Sequence, residues 1–159
     1  MMKIKFLLTY LLLLMITFAG CQKLTKEEKS GLKTDLKSFV KYANNLEQDI
    51  FDNEENFDSR EAVYEHFRQG FSVDLATDIT AYLWEAGSLN ASEIILAQPE
   101  GEIYFTKLKA DEAEVFYETP ETLRDAWDLK RYKIDKLRKE DNGWVIYEST
   151  DTDYEPVTE

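Results

Sequence analysis

This chain of 159 residues has one cysteine, one histidine and six glycines, and each scarcity excludes a kind of site. A single cysteine cannot form a disulfide within the chain, and it leaves no cysteine set for structural zinc. The histidine, His66, lies on a predicted helix with no acid–base partner evident from the spacing, so we interpret it as an ordinary helix residue. The glycines form no phosphate-binding loop. The sequence therefore predicts no catalytic residue, no metal site and no cofactor.

Long hydrophobic runs are also scarce, and the one near the start is short. Lys3 and Lys5 precede an apolar run of 13 residues (6–18), and small residues follow it up to Gly20. A membrane-spanning helix needs about 20 apolar residues, whereas a bacterial secretion signal has this shorter layout. The pattern therefore predicts a signal peptide over residues 1–20, cleaved after Gly20.

The only cysteine directly follows this segment. The run Phe18-Ala19-Gly20-Cys21 resembles the lipobox of bacterial lipoproteins, although that family prefers Leu, Val or Ile where Phe18 stands here. The resemblance implies that Cys21 receives a diacylglyceryl group and becomes the new N-terminus, with the lipid bilayer as its partner. Several long acyl chains anchor a protein stably. We therefore expect a protein on the outer face of the bacterial cytoplasmic membrane. The alternative is ordinary secretory cleavage near Ala19, which leaves a free thiol.

Basic residues are outnumbered in the predicted mature chain, with 17 against 32 acidic residues. Eighteen of the 21 aromatic residues remain there, which is enough for a folded core in one domain of this size. An acidic surface is expected to repel nucleic acid and anionic lipid headgroups, so we predict no nucleic-acid partner. We interpret the acidity mainly as a solvated surface, with a cationic partner or calcium as alternatives.

Helical periodicity dominates the first part of the mature chain. Apolar residues recur every three or four positions over residues 22–51, and Thr25 with Glu28 fits a capping box. Two shorter helical patterns follow on either side of Gly70, and Ser72 is suited to cap the second.

Alternating patterns take over after Gly87. They predict a short strand at 93–98, a hairpin around residues 110–112, a long strand over 127–139 and a last strand after the Asn142-Gly143 turn. Helices followed by an antiparallel meander predict an α+β fold, with three N-terminal helices packed on a curved sheet of four to five strands.

The predicted boundaries follow from these elements. Residues 21–30 are expected to form the lipidated cysteine and a short tether, and residues 31–150 the folded domain. Residues 151–159 are acidic and unpatterned, which favours a flexible tail.

Two segments resemble a known fold family. "YKIDKLRKEDNGWVIYES" (132–149) is similar to the last hairpin of the cone-shaped NTF2-like fold, and "FSVDLATDITAYLW" (71–84) to a helix of secreted NTF2-like lipoproteins of Gram-positive bacteria. The resemblance spans residues 30–150 and implies an NTF2-like cone. Fold likeness does not give function, because this fold hosts enzymes, transport factors and binding partners.

The NTF2-like enzymes work through an acid or a histidine inside the cone. Asp128 and Asp135 lie at opposite parities of the predicted long strand, so one of them is expected to point inward. Both lie near lysines, however, and we interpret both as surface residues in ordinary pairs.

Polar and acidic residues at alternate positions between 52 and 58 resemble a calcium-binding loop, but the residues at two diagnostic positions of such a loop do not fit. Phe57 stands where such a loop needs glycine, and Val63 stands where it needs a bidentate glutamate. The alternating side chains are Asp52, Glu54, Asn56 and Asp58.

Both faces of the predicted sheet carry apolar side chains. Trp144 and Ile146 share one face of the last strand, and Val145 and Tyr147 share the other. Sizeable exposed apolar patches mark contact surfaces for another protein or a second copy, unless the curl of the sheet or the tail covers them. The candidate residues of a binding face or pocket are Trp84, Tyr104, Phe116, Trp127, Tyr132 and Tyr147.

Taken together, these patterns favour a membrane-anchored extracytoplasmic lipoprotein that acts as a non-enzymatic binding or accessory module for a protein or peptide partner. The alternative is a small-molecule-binding or enzymatic NTF2-like domain that uses the cone pocket. A pairing of two copies through the sheet face is also consistent with the sequence.

Overall fold

A computed structural model describes residues 24–85, 96, 98–127 and 129–158. The elements in chain order are α1 (Lys26–Asp52), a 3₁₀ turn (Glu54–Asn56), α2 (Arg60–Phe67), α3 (Val73–Glu85), β1 (Glu100–Leu108), β2 (Glu112–Glu118), α4 (Glu121–Trp127), β3 (Tyr132–Glu140) and β4 (Gly143–Thr152). Helices followed by an open antiparallel sheet confirm the α+β prediction. Cys21, Gly20 and four of the six residues of the predicted strand 93–98 lie outside the described residues. In the described part, no helix combines the length and hydropathy needed to cross a bilayer.

Helix α1 begins at the predicted capping box. The Thr25 side chain accepts a hydrogen bond from the Glu28 backbone N at 3.2 Å, and the Thr25 backbone N donates to Glu28 Oε2 at 2.8 Å. Residues 26–30, which we assigned to the tether, are therefore helical. The predicted apolar stripe is buried at Leu36, Val40, Ala43, Leu46 and Ile50.

The connection between α2 and α3 attaches the helices to the sheet. The Ile146 backbone N donates to the Gly70 carbonyl at 2.9 Å, and the Ser72 backbone N donates to the Ile146 carbonyl at 2.9 Å. Ser72 also accepts from the Leu75 backbone N at 3.3 Å and caps α3, as predicted. These bonds pair the segment around Phe71 with the edge strand β4 and so attach the helices to that edge of the sheet.

In the described part of the chain, four strands form one sheet in the order β1-β2-β3-β4, each antiparallel to the next. The side facing the helices, here called the helix face, carries the buried Val115 and Leu137. The opposite side, here called the outer face, carries Tyr104 opposite Phe116 and Phe116 opposite Ile134. Asn142-Gly143 forms the last hairpin as predicted, and Gly143 takes φ 127, which favours glycine.

Three boundaries differ from the prediction. The predicted long strand at 127–139 begins only at Tyr132, because residues 121–127 form α4, the fourth α-helix among the described residues. Strand β4 runs two residues into the predicted tail, where Thr152 pairs with Tyr132. Just beyond it, Asp153 forms an ion pair with Lys130 at 3.0 Å. The β-branched residue and the opposite charges extend the ladder further than the acidic composition suggested.

Candidate functional site

A cluster of polar side chains lies buried between α1 and the helix face of the sheet. Asp135 of β3 is fully buried at its centre, and Tyr117 of β2 and Asn44 of α1 are also buried. The alternation of β3 puts Asp135 on the same face as Leu137, toward the helices. The interpretation of Asp135 as a surface residue is therefore wrong. We call Asp135, Tyr117, Asn44, Ser149 and Lys133 the Asp135 cluster.

Hydrogen bonds from three different elements converge on the Asp135 carboxylate. The Tyr117 hydroxyl donates to Oδ2 at 2.7 Å, and Asn44 Nδ2 donates to the same oxygen at 3.2 Å. The Ser149 hydroxyl of β4 donates to Oδ1 at 2.6 Å. Both carboxylate oxygens are thus occupied by protein donors, which is how a buried charge is retained.

The electrostatics of the cluster keep Tyr117 protonated. Burial raises the pKa of the Tyr117 phenol well above its usual value, and the charge and hydrogen bond of Asp135 raise it further. Lys133 is almost fully buried, and its Nζ lies 3.4 Å from Asn44 Oδ1. Tyr117 therefore acts as a permanent donor, and the cluster joins α1 to three strands as one polar network.

The sequence contained one overlooked signal for this cluster. Asn44 and Glu47 interrupt the apolar stripe of α1, and both are buried. Glu47 accepts a hydrogen bond from the Leu96 backbone N at 2.5 Å. Polar residues at stripe positions need buried partners, so they indicate a buried polar network even where strand parity does not.

His66 bridges two helices. Its Nε2 lies 3.1 Å from the Leu46 carbonyl oxygen and 3.3 Å from Asp49 Oδ2, both in α1. The ring packs edge-on against Phe57, with 4.7 Å between the centroids. The sequence spacing did not reveal the contact with Asp49, because the two residues belong to different helices.

Three of the six aromatic candidates meet on the outer face. The Tyr104 and Phe116 rings stack with 5.1 Å between centroids, and the Phe116 and Tyr132 rings meet edge-on at 6.0 Å. Phe116 and Tyr132 are buried, whereas Tyr104 is 45% exposed. We call these three residues the aromatic cluster.

Part of the aromatic cluster is covered by charged side chains. The Arg131 guanidinium lies over the Tyr132 ring, 5.2 Å from its centroid, and pairs with Glu118 at 2.9 Å. Burial raises the pKa of the Tyr132 phenol, and Glu155 of the C-terminal segment lies close enough to add to the rise. Charged side chains therefore cover the outer face at Tyr132, whereas Tyr104 is the residue of the aromatic cluster that stays exposed.

The other three candidates do not join the aromatic cluster. Tyr147 lies on the outer face beneath Arg138, whose guanidinium carbon is 5.2 Å from the ring centroid. Trp84 is 36% exposed on α3, on the helix side of the sheet. Trp127 ends α4, and its side chain lies outside what the structure describes, as does Asp128.

A row of charged residues separates Tyr147 from the aromatic cluster. Glu114 is the register partner of both Lys107 and Lys136, and Lys136 is that of Glu148. The Lys136 and Glu148 side chains form an ion pair at 2.6 Å. The outer face therefore has an aromatic end and a charged middle.

Potential metal ligands are dispersed in the described ranges. Over residues 24–85, 96, 98–127 and 129–158, no three His, Cys, Asp or Glu side chains are arranged to hold a metal ion. The four residues of the calcium-like pattern are exposed in and around the 3₁₀ turn: Asp52, Glu54, Asn56 and Asp58.

Comparison of the chain with protein families, with curated proteins and with solved structures finds no match.

Proposed function

We propose that this protein is a lipid-anchored extracytoplasmic module of NTF2-like fold that binds a protein or peptide partner without catalysing a reaction. The lipobox-like run ending at Cys21 supports the anchor and its position on the outer face of a bacterial cytoplasmic membrane. A permanently anchored domain acts on what comes close to the membrane, which suits a binding or accessory role.

The observation that carries the binding role is the exposed Tyr104 ring on an edge strand. Tyr104 is 45% exposed, and the buried Phe116 supports its ring by stacking at 5.1 Å. A ring held in place from below loses little freedom when a partner packs on it, and tyrosine is enriched among residues that dominate binding energy. Phe116 thus preorganises Tyr104 for contact.

The edge of β1 supports a peptide or an extended segment as the partner. β1 is the first strand in the sheet order, and β2 is the strand that pairs with it among the described residues. Extended segments bind to such edges by adding a strand, with main-chain hydrogen bonds for affinity and alternate side chains for specificity. Tyr104 lies where an added strand projects a side chain onto the outer face.

One observation favours the small-molecule or enzymatic alternative, namely the buried Asp135 carboxylate beside the Tyr117 phenol. Buried titratable pairs are frequent in functional sites. In the described residues, however, three protein donors occupy this carboxylate, and the helix face around it is filled by the side chains of Leu36, Val40, Phe71, Val115 and Leu137. The geometry therefore supports the binding role better.

Site-specific photocrosslinking in the native bacterium tests the binding role. Benzoylphenylalanine replaces Tyr104 in one strain and Tyr42 of α1 in a control strain, because both side chains are 45% exposed. We expect a discrete adduct from position 104 that is missing at position 42. An adduct of twice the chain mass identifies a second copy as the partner. Free monomer at position 104, or the same adducts at both positions, contradicts the proposal.

Intact-mass analysis tests the anchor. Protein from the membrane fraction is expected to begin at Cys21 and to carry the mass of a diacylglyceryl group. A Cys21→Ser variant is expected to leave the membrane fraction while keeping its fold. An unmodified thiol on protein from the cytosol contradicts the anchor.

A further inference from the structure

Helix α1 carries a row of lysines along one side. At 100° per residue, these lysines fall within an arc of about 120°. The acidic residues of the same turns fall outside this arc, whereas the buried Val40 lies within it, on the side that packs toward the sheet. The row consists of Lys26, Lys29, Lys33, Lys37 and Lys41, and the acidic residues are Glu27, Glu28 and Asp35. We call the five lysines the lysine face.

Contacts with β1 confirm the direction of this row. Lys33 Nζ lies 5.2 Å from the centroid of the Phe105 ring, and Lys37 forms an ion pair with Glu102. The hydrogen bond and charge of Lys37 lower the pKa of Glu102, and the charge of Lys41 adds to the effect. The lysine face therefore borders the edge of the sheet at β1.

Three members of the lysine face are free for an external partner. Lys26, Lys29 and Lys41 are exposed and form no ion pair with any residue that the structure describes. Residues 22–41 contain six lysines and three acidic residues, a formal charge of +3 in a chain of net charge −13. The chain as a whole is acidic, as expected for a surface that repels anionic headgroups, but the first part of α1 has the opposite charge.

The position of the row relative to Cys21 places it near the bilayer. Four residues lie between Cys21 and Lys26, and the five steps from one to the other span at most about 18 Å when fully extended. From Lys26 to Lys41 the row is about 22 Å long. A helix that starts this close to the surface brings several lysines within the Debye length of about 8 Å if it lies along the membrane.

We propose that the lysine face rests on the anionic headgroups of the bilayer that holds Cys21, and thereby sets the orientation of the domain. This inference rests on the lipid anchor of the proposed function. Clustered basic residues beside a membrane anchor are attracted to anionic lipid, and each contributes about fivefold to partition near the surface. The acidic remainder of the domain is turned toward the aqueous side by the same field.

Lysine acetylation in vesicles measures this orientation. The acylated protein is reconstituted into vesicles of phosphatidylcholine alone or of phosphatidylcholine with phosphatidylglycerol, and a membrane-impermeant acetylating reagent is followed by mass spectrometry. We expect Lys26, Lys29 and Lys41 to react several-fold more slowly on phosphatidylglycerol vesicles, with the difference lost in high salt. Exposed Lys139 is the internal control and keeps its rate. Equal rates on both vesicles, or equal protection of Lys139, overturn the proposal.

A matched pair of variants separates position from net charge. One variant replaces Lys26, Lys29 and Lys41 by glutamine, and the other replaces Lys109, Lys130 and Lys139. Each protein receives one short acyl chain at the Cys21 sulfur by chemical coupling, because a single chain binds only marginally and leaves electrostatic gains visible. We expect the first variant to lose about tenfold or more of its partition into phosphatidylglycerol vesicles. The second keeps it.

Equal losses in both variants overturn the proposal, since they reflect net charge alone. The chemical coupling also separates this inference from the anchor. If native protein shows an unmodified thiol, the anchor fails, while the coupled protein still decides whether the lysine face binds anionic lipid.

Discussion

Replacement of Asp135 tests whether the buried polar network stabilises the fold. Its carboxylate accepts hydrogen bonds from Tyr117, Asn44 and Ser149, which belong to β2, α1 and β4. Asp135→Ala removes the acceptor for all three donors, whereas Asp135→Asn keeps the shape and one acceptor oxygen. The two variants therefore differ in how many donors lose a partner.

The expected magnitudes follow from the fate of each donor. In Asp135→Ala, Asn44 keeps its bond to the Val40 carbonyl at 3.0 Å, and half-buried Ser149 reaches water, but the buried Tyr117 hydroxyl loses its 2.7 Å bond. Removal of one member of a buried charged network destabilises by about 3–5 kcal/mol. Because two of the donors keep alternatives, we expect about 3 kcal/mol. In Asp135→Asn the amide oxygen serves two donors and the amide nitrogen donates to Ser149, so we expect about 1 kcal/mol.

Urea unfolding of the mature chain, followed by tryptophan fluorescence at neutral pH, measures these differences. The free energy of unfolding of a domain is about 5–15 kcal/mol, so a loss of 3 kcal/mol is readily resolved. Tyr117→Phe completes a double-mutant cycle with Asp135→Ala, which removes the acceptor of the Tyr117 hydroxyl, and we expect a coupling free energy of about 1–2 kcal/mol. A control at exposed Asp78 of α3, away from the cluster, is expected to change stability by less than about 0.5 kcal/mol.

Two results would refute the reasoning. If Asp135→Ala is as stable as the parent protein, the network does not contribute net stability, and the desolvation of the carboxylate offsets its hydrogen bonds. If the coupling with Tyr117→Phe is zero, the 2.7 Å hydrogen bond is not the interaction that stabilises the pair.

Three further predictions concern other buried positions and alkaline pH. Gly70→Ala is expected to destabilise the fold by about 1–3 kcal/mol, because a Cβ at this position meets the Ala43 Cβ at 2.8 Å. Gly31→Ala, in the exposed first half of α1, is expected to stabilise it by about 0.5–1 kcal/mol. Thermal unfolding midpoints that shift in the same direction for both variants contradict these expectations. Thr80→Val is expected to stabilise by about 1 kcal/mol in urea unfolding, since the buried Thr80 hydroxyl has no hydrogen-bond partner among the described residues, and a loss of stability is the opposing result. Because the pKa of Tyr117 is raised in the folded protein, this phenol loses its proton near pH 10 in the unfolded chain but keeps it in the folded chain. The contribution of Tyr117 to the free energy of unfolding is therefore complete below that pH and declines above it. Tyr117→Phe is therefore expected to flatten the alkaline decline by up to about 1.4 kcal/mol per pH unit, and parallel declines contradict the burial argument.

Local signals predicted most of the secondary structure. The Thr25–Glu28 capping box, the Ser72 cap and the Asn142–Gly143 turn all appear as expected, because each depends on residues only a few positions apart. Helix α4 was missed as a helix of seven residues, since a short polar segment after Pro120 has too few apolar repeats to show a period.

The candidate site was predicted less well, because the alternation of side chains along a strand does not show which face of the sheet is buried. Alternation along β3 shows that Asp135 and Ile134 face opposite sides, but not which side the helices cover. Tyr104, Phe116 and Tyr132 were named as candidates, yet their assembly depends on the register of three strands. A bulge between the pairs at Lys136 and Leu137 shifts the alternation of β4 and brings Ser149 under Asp135.

The sequence by itself determined that helices come first and an antiparallel sheet follows, and it determined the buried stripe of α1 and the last hairpin, because these depend on periodicity and on short-range turn and cap chemistry. Only the tertiary structure decided that Asp135 is buried, that Tyr104 is the exposed member of its cluster, and that the lysine face borders β1. Those properties depend on which face of one element meets another, and packing between residues distant in the chain sets that choice.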